Sequence, residues 1–65
     1  MDLKISIKAA RVNAGMSQKD AALALGISKD TLGNWEKGKT APRATMLTKF
    51  SEVYQIPKDA ISLPM

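Results

Sequence analysis

The chain contains no cysteine and no histidine. Disulfides, thiol chemistry and imidazole acid–base catalysis are therefore excluded, and so are the usual structural zinc sites, which need one or both residue types. The sequence also lacks any apolar run near the roughly 20 residues of a transmembrane helix, and it has no signal-peptide core. We therefore expect a cytoplasmic protein with no metal, no cofactor and no membrane partner.

The chain is short and basic. Its 65 residues carry a net charge of +4 and a pI near 9.7, with 45% hydrophobic and 25% charged residues. These values fit one globular domain over residues 1–65, too small to enclose a substrate pocket and still build a core. The six carboxylates are scattered singly, without a nucleophile–base pair. The sequence therefore predicts neither an enzyme nor a small-molecule substrate.

Apolar residues recur at helical spacing between turn residues, and we find no convincing strand. The predicted helices cover about residues 6–14, 17–26, 28–37 and 44–54, with a short fifth helix after Pro57 that buries Ile61. Leu3, Ile5 and Ile7 alternate with polar residues, so the start of the first helix also fits a strand. The fold class predicted is all-α, with four to five helices in one compact domain.

The predicted core is small, and it comprises Ile7, Ala10, Ala22, Leu25, Ile27, Leu32, Trp35, Leu47, Phe50, Tyr54, Ile56 and Ile61. A single core in a chain of this size supplies on the order of 3–5 kcal/mol of net stability. We therefore expect a marginally stable monomer that gains from a partner.

The stretch 18–35 carries the most information. Two short helices flank the link Gly26-Ile27-Ser28, which is too tight for antiparallel packing. Ala22 is small enough for the helices to cross closely, and Gly26 permits a left-handed turn. Ile27 and Leu32 fill the space between the helices. This pattern predicts a helix-turn-helix in about residues 17–37, although an αα-corner can share it.

A wider set of residues shows the same spacing as one known family: Arg11, Gly15-Met16-Ser17-Gln18, Ala22, Gly26-Ile27-Ser28, Leu32, Trp35-Glu36, Gly38 and Pro42. Over roughly residues 7–61 the chain resembles the phage-repressor and Cro-like (Xre-type) helix-turn-helix family. The resemblance implies a lambda-repressor-like domain of five helices that binds operator DNA in the major groove as a two-fold dimer. Two positions depart from the family. Ala21 is smaller than the usual aliphatic residue, and Gly33 lies inside the third helix, where glycine costs about 1 kcal/mol relative to alanine.

The predicted base-contacting residues are Lys29, Asp30, Thr31 and Asn34, because a helix-turn-helix presents this face of its second helix to the major groove. Lys29 can donate to guanine O6 or N7, and Asn34 can pair with adenine N6 and N7. Asp30 can accept from cytosine N4, and Thr31 can contact a thymine methyl or a phosphate. The alternative is an ordinary solvated face, with Asp30 serving only the helix N-terminus.

The predicted phosphate contacts are Gln18, Ser28, Lys39, Thr40 and Arg43. Gln18 begins the second helix, whose free N–H groups favour anions, and the resemblance gives it a phosphate contact. The last three residues lie in the loop after the third helix, which can hold one flank of the groove. The alternatives are an exposed residue beside a helix cap for Gln18 and a solubilising charge cluster for the loop.

The resemblance also implies a salt bridge between Arg11 and Glu36, tying the first helix to the end of the third, with the guanidinium near a phosphate. We expect its main role to be structural. If the pair is partly buried, bidentate geometry would make it worth more than the roughly 0–1 kcal/mol of an exposed pair.

Together these features predict a bacterial or phage-type DNA-binding regulator of transcription, a repressor or Cro-like factor that occupies an operator in double-stranded DNA. The positive charge would attract DNA of any sequence, and the third helix would supply specificity. A weak homodimer, formed free or only on DNA, is expected through apolar surface at Tyr54, Ile56 and Ile61. The alternative is a protein-interaction or antitoxin-type module on the same scaffold.

Overall fold

Serine side chains cap the N-termini of three of the α-helices. The computed structural model describes residues 4–64. In it Ser6, Ser17 and Ser28 each accept a hydrogen bond from the backbone N–H three residues later, at 3.1, 3.0 and 3.0 Å. Each contact satisfies one free N–H of a first helical turn. The helices are α1 (Ile7–Asn13), α2 (Gln18–Leu25), α3 (Lys29–Lys37) and α4 (Met46–Tyr54). None of them has the length and apolar character that a membrane span requires.

Glycines end α2 and α3. Gly26 and Gly38 have φ angles of +76° and +78°, in the left-handed region that glycine adopts without steric cost. Their N–H groups turn back to the carbonyl oxygens of Leu23 and Trp35, both at 3.2 Å. The two helices therefore end where the sequence predicts, and Gly33 does not interrupt α3.

A short parallel strand pair joins the two ends of the described chain. β1 (Ile5–Ser6) pairs with β2 (Ile61–Ser62), with Ile5 opposite Ile61 and Ser6 opposite Ser62. The all-α architecture is confirmed. The expectation of no convincing strand is wrong, whereas the alternative that residues near Ile5 form a strand is confirmed. The alternating residues near the start form β1 because a partner strand reaches them from the other end of the sequence. Leu3, part of that alternation, lies outside the described residues.

The predicted fifth helix is a single 3₁₀ turn, Lys58–Ala60, that follows Pro57. Ile61 is buried as predicted, but it belongs to β2 rather than to a helix. The reason is the pairing with β1, which draws the backbone into an extended conformation at Ile61, with φ −101° and ψ 128°. A strand therefore replaces the remaining turns of the expected helix.

The hydrophobic core lies where the four helices and β2 meet. Its buried members are Ile7, Ala10, Ala21, Ala22, Leu25, Leu32, Phe50, Tyr54 and Ile61, and the other predicted core residues pack partly buried against them. Ala21 is fully buried in spite of its short side chain. The ring of Trp35 meets Phe50 edge-on at a centroid distance of 6.0 Å, and Phe50 stacks on Tyr54 at 5.8 Å. These aromatic contacts link the end of α3 to α4.

Two of the three residues expected at a dimer surface are buried within the chain itself. Tyr54 and Ile61 are only 2% and 3% exposed. The expectation that they leave apolar surface near the C-terminus is therefore wrong, because both side chains complete the core. Ile56 remains partly exposed, as do Val53 and Leu63.

Candidate nucleic-acid interface

A polar groove lies between the start of α2 and the solvent face of α3. It has a volume of about 310 Å³ and is lined by Gln18, Lys29, Asp30, Gly33, Asn34 and Lys37. All but Gln18 come from α3, where Lys29, Gly33 and Lys37 follow one another at four-residue intervals and so share one helix face. The core-facing Leu32 is fully buried on the same helix. The groove is thus the surface that α3 turns away from the core.

Three of the four predicted base-contacting residues lie at this groove. Lys29 and Asp30 are exposed in the first turn of α3, and Asn34 is partly exposed one turn later. Thr31 does not line the groove. It is half-buried, and its hydroxyl oxygen accepts a hydrogen bond from Ser28 Oγ at 2.8 Å. The structure therefore brings Lys29, Asp30 and Asn34 together and leaves Thr31 apart.

Beside the groove, Arg11 and Glu36 form a two-point ion pair. Arg11 Nε donates to Glu36 Oε2 at 2.8 Å, and Arg11 Nη2 donates to Glu36 Oε1 at 3.1 Å. The third guanidinium nitrogen, Nη1, donates to the carbonyl oxygen of Met16 at 2.9 Å. The side chains are only 11% and 3% exposed, so this guanidinium serves the fold and offers little surface to a phosphate.

The pKa values of the pair follow from these contacts. Burial pushes the pKa of Glu36 upward, but hydrogen bonds from Arg11 and Gln18 together with the Arg11 charge outweigh it, and the net pKa lies below the ordinary value. The hydrogen bond to Glu36 raises the pKa of Arg11 further. Both groups are therefore charged at neutral pH, and the pair persists into mildly acidic solution.

Gln18 connects this ion pair to the groove. Its Nε2 donates to Glu36 Oε1 at 3.0 Å, and the residue also lines the groove. One of the two amide hydrogens is thus used to hold the side chain in place, while the amide group has a second hydrogen and an acceptor oxygen. Arg11, Gln18 and Glu36 together tie α1, α2 and α3 into one frame beneath the exposed face of α3.

The other predicted phosphate contacts lie outside the groove. Lys39, Thr40 and Arg43 are exposed in the segment between α3 and α4, next to the groove residue Lys37. Ser28 caps α3, and its hydroxyl both accepts from the Thr31 N–H and donates to the Thr31 hydroxyl. The segment that carries Lys39, Thr40 and Arg43 begins directly after α3.

Sequence reasoning missed two residues of the groove. Lys37 is not among the predicted contact residues, and Gly33 is predicted only as a departure from the family pattern, yet both line the groove. The signal was present in the sequence, because residues 29, 33 and 37 recur at the spacing of one helical turn.

The polar groups that line the groove can form hydrogen bonds and ion pairs with a partner. The groove offers amino groups from Lys29 and Lys37, a carboxylate from Asp30 and amides from Gln18 and Asn34. Within residues 4–64, no three acidic, histidine or cysteine side chains gather where they could hold a metal ion. Such a mixture of donors and acceptors along one helix face matches the mixed hydrogen-bonding edges of base pairs in the major groove.

Comparison with known proteins gives two findings. A model of the helix-turn-helix family matches residues 7–61. The chain is also 37% identical over 59 residues to the HTH-type transcriptional regulator ImmR of Bacillus subtilis (strain 168), and the match covers 91% of the chain and 46% of that protein. The chain thus spans less than half the length of this relative. No solved structure gives a significant match.

Proposed function

Because the chain belongs to the helix-turn-helix family, we propose that it is a sequence-specific regulator of transcription that binds double-stranded DNA. The groove on α3 is the observation that carries the proposal. In a helix-turn-helix the second helix of the motif enters the major groove, and α3 is that helix. Its outward face carries Lys29, Asp30, Asn34 and Lys37 and no large apolar residue. The likeness to a protein named as a transcriptional regulator supports the same role.

Base recognition would be divided among three side chains. Lys29 would donate to guanine O6 or N7, Asn34 would pair with adenine, and Asp30 would accept from cytosine N4. Thr31 stands at the edge of this set, since its hydroxyl is engaged with Ser28. A Thr31 contact with DNA would therefore use its methyl group rather than its hydroxyl.

Phosphate contacts would position α3 from both sides. Gln18 is held by Glu36 and has a second amide hydrogen with which to donate to a phosphate oxygen. Lys39, Thr40 and Arg43 would hold the DNA backbone on the other flank. Ser28 would have to give up its hydrogen bond to Thr31 to donate to a phosphate. The net charge of +4 adds attraction that does not depend on sequence.

We propose that regulation works by occupancy, as in a repressor or a Cro-like factor. A weak homodimer, formed free or only on DNA, would place two copies of α3 about 34 Å apart, one turn of the double helix. With Tyr54 and Ile61 in the core, the partly exposed apolar residues within positions 53–64 that could form this contact include Val53, Ile56 and Leu63. The bound dimer would exclude polymerase or a competing regulator from the operator.

Selection of bound sequences from a random duplex DNA pool tests this function. We expect one enriched motif with two half-sites whose centres lie about 10 base pairs apart, and weak binding to random duplex at low salt. A folded protein that enriches no sequence would overturn the proposal. Failure to bind random duplex at low salt as well would favour the alternative, a module that uses the same helices to bind another protein.

A further inference from the structure

The fold does not require the glycine at position 33. Gly33 lies inside the continuous helix α3 and does not have a positive φ. A Cβ built there would meet nothing closer than the amide atoms of Gln18, at 3.9 and 4.0 Å, which is ordinary van der Waals contact. Alanine would fit the space and would favour the helix, since glycine is a poor residue in a helix interior.

The absence of a side chain at position 33 affects the shape of the groove. Gly33 lines it between the polar side chains of Lys29, Asp30, Asn34 and Lys37. At this one position on the outward face, a partner can approach the helix backbone itself. The backbone N–H and C=O inside a helix are engaged in helical hydrogen bonds, so Gly33 presents only its Cα hydrogens. The surface it offers is therefore small and apolar.

One group in the major groove suits such a surface. The edges of the four base pairs present hydrogen-bond donors, acceptors and a single apolar substituent, the C5-methyl group of thymine. We propose that the Cα of Gly33 contacts a thymine methyl group while its polar neighbours form hydrogen bonds with adjacent bases. This inference rests on the proposed function. Gly33 is then a specificity-determining residue, because its lack of a side chain leaves room for a thymine methyl group.

A four-way comparison of protein and DNA tests this assignment. Wild-type protein and Gly33→Ala are titrated against the selected operator and against operators with each thymine replaced in turn by deoxyuridine, which lacks the methyl group. At one thymine we expect wild-type binding to weaken about three- to fivefold, the effect of one buried methyl group. Gly33→Ala should bind the unmodified operator about tenfold more weakly, because the added methyl competes for the same space.

The decisive result is the coupling between the two changes. At that same position, the penalty of Gly33→Ala should fall below about threefold once the thymine methyl is removed. Thermal unfolding of Gly33→Ala should show a Tm a few degrees higher than that of wild type, so that weaker binding cannot come from unfolding. Lys49→Ala, a change at an exposed residue of α4, serves as the control and should keep the wild-type response to deoxyuridine.

Failures of the inference and of the proposed function are distinguishable. If the wild-type protein selects an operator but Gly33→Ala carries the same penalty with thymine and with deoxyuridine at every position, the thymine-methyl assignment is overturned. If Gly33→Ala binds the operator as tightly as wild type, it is overturned as well. If the wild-type protein selects no sequence, the proposed function fails, and this inference fails with it.

Discussion

Arg11 and Glu36 are 25 positions apart in the sequence, and their side chains meet in a bidentate ion pair with contacts of 2.8 and 3.1 Å. The carboxylate also accepts from Gln18, and the guanidinium also donates to the Met16 carbonyl. One nearly buried pair thus connects α1 with the end of α3 and with the start of α2. Because α3 carries the proposed recognition face, the pair sets the orientation of that face relative to the rest of the domain.

This arrangement predicts a strong coupling between the two residues. Arg11→Met or Glu36→Met alone should cost about 3 kcal/mol, because each leaves a charge uncompensated in a nearly buried position. The double variant should recover most of that loss, since neither charge then remains. Urea unfolding followed by circular dichroism measures all three. Arg43→Met is the control for loss of an exposed arginine and should change the free energy of unfolding by less than about 0.5 kcal/mol. Losses that simply add in the double variant would contradict the coupling.

The buried phenol of Tyr54 predicts that the stability of the fold decreases at alkaline pH. Its hydroxyl oxygen is buried without a hydrogen-bond partner among residues 4–64. Burial, with a smaller contribution from the Glu36 charge, raises the pKa of the phenol from 10.0 to about 12. The folded state then favours the neutral form, and its contribution to stability is complete below pH 10 and declines as the pH rises towards 12.

Tyr54→Phe isolates this effect. The variant should be as stable as wild type at pH 7 or more stable by about 1 kcal/mol, because it removes a buried polar group that lacks a partner. Between pH 10 and about 12 it should lose less stability than wild type, since it has no phenol to ionise. Urea unfolding of both proteins from pH 8 to 12 measures the difference. Parallel pH profiles would show that the phenol is not buried as described.

Local signals in the sequence were sufficient to predict the four α-helices, although not the 3₁₀ turn and strand that follow Pro57. Ser17 and Ser28 mark helix starts and Gly26 and Gly38 mark helix ends, because capping needs only neighbouring residues. The position of α3 and its outward face followed from the same signals. The pairing of Ile5 with Ile61 could not be predicted from the sequence. Alternation near Ile5 also fits a strand, but the two-residue strand at Ile61 has almost no local signature, and no local feature identifies its partner.

In the candidate site too, features that depend on local spacing could be predicted, and features that depend on tertiary packing could not. Lys29, Asp30 and Asn34 could be placed at one surface by counting along a helix. The hydrogen bond from the Gln18 amide to Glu36 could not be predicted, because it depends on how α2 and α3 lie against each other. The sequence predicts Tyr54 both in the core and at an interface, and only tertiary packing decides between those two environments.

The loop after α3 predicts a change in salt dependence. If Lys39 and Arg43 contact phosphates, Lys39→Ala and Arg43→Ala should each reduce the slope of log K against log salt by roughly one, near the 0.9 per phosphate of B-DNA. Both variants should weaken the binding of all duplex sequences alike. Filter or anisotropy titrations at several salt concentrations give the slopes. Lys49→Ala, which removes one exposed charge from α4, should leave the slope unchanged. A wild-type slope in both loop variants would remove the loop from the interface.

The ratio of operator affinity to random-duplex affinity tests most directly whether α3 recognises base sequence. Lys29→Ala and Asn34→Ala should each lower this ratio about 5- to 150-fold, the equivalent of about 1–3 kcal/mol for a lost base contact. Each should also relax preference at a different base position, while binding to random duplex changes by less than about twofold. If both variants instead weaken operator and random duplex equally, the two side chains only position the protein, and α3 does not determine sequence specificity.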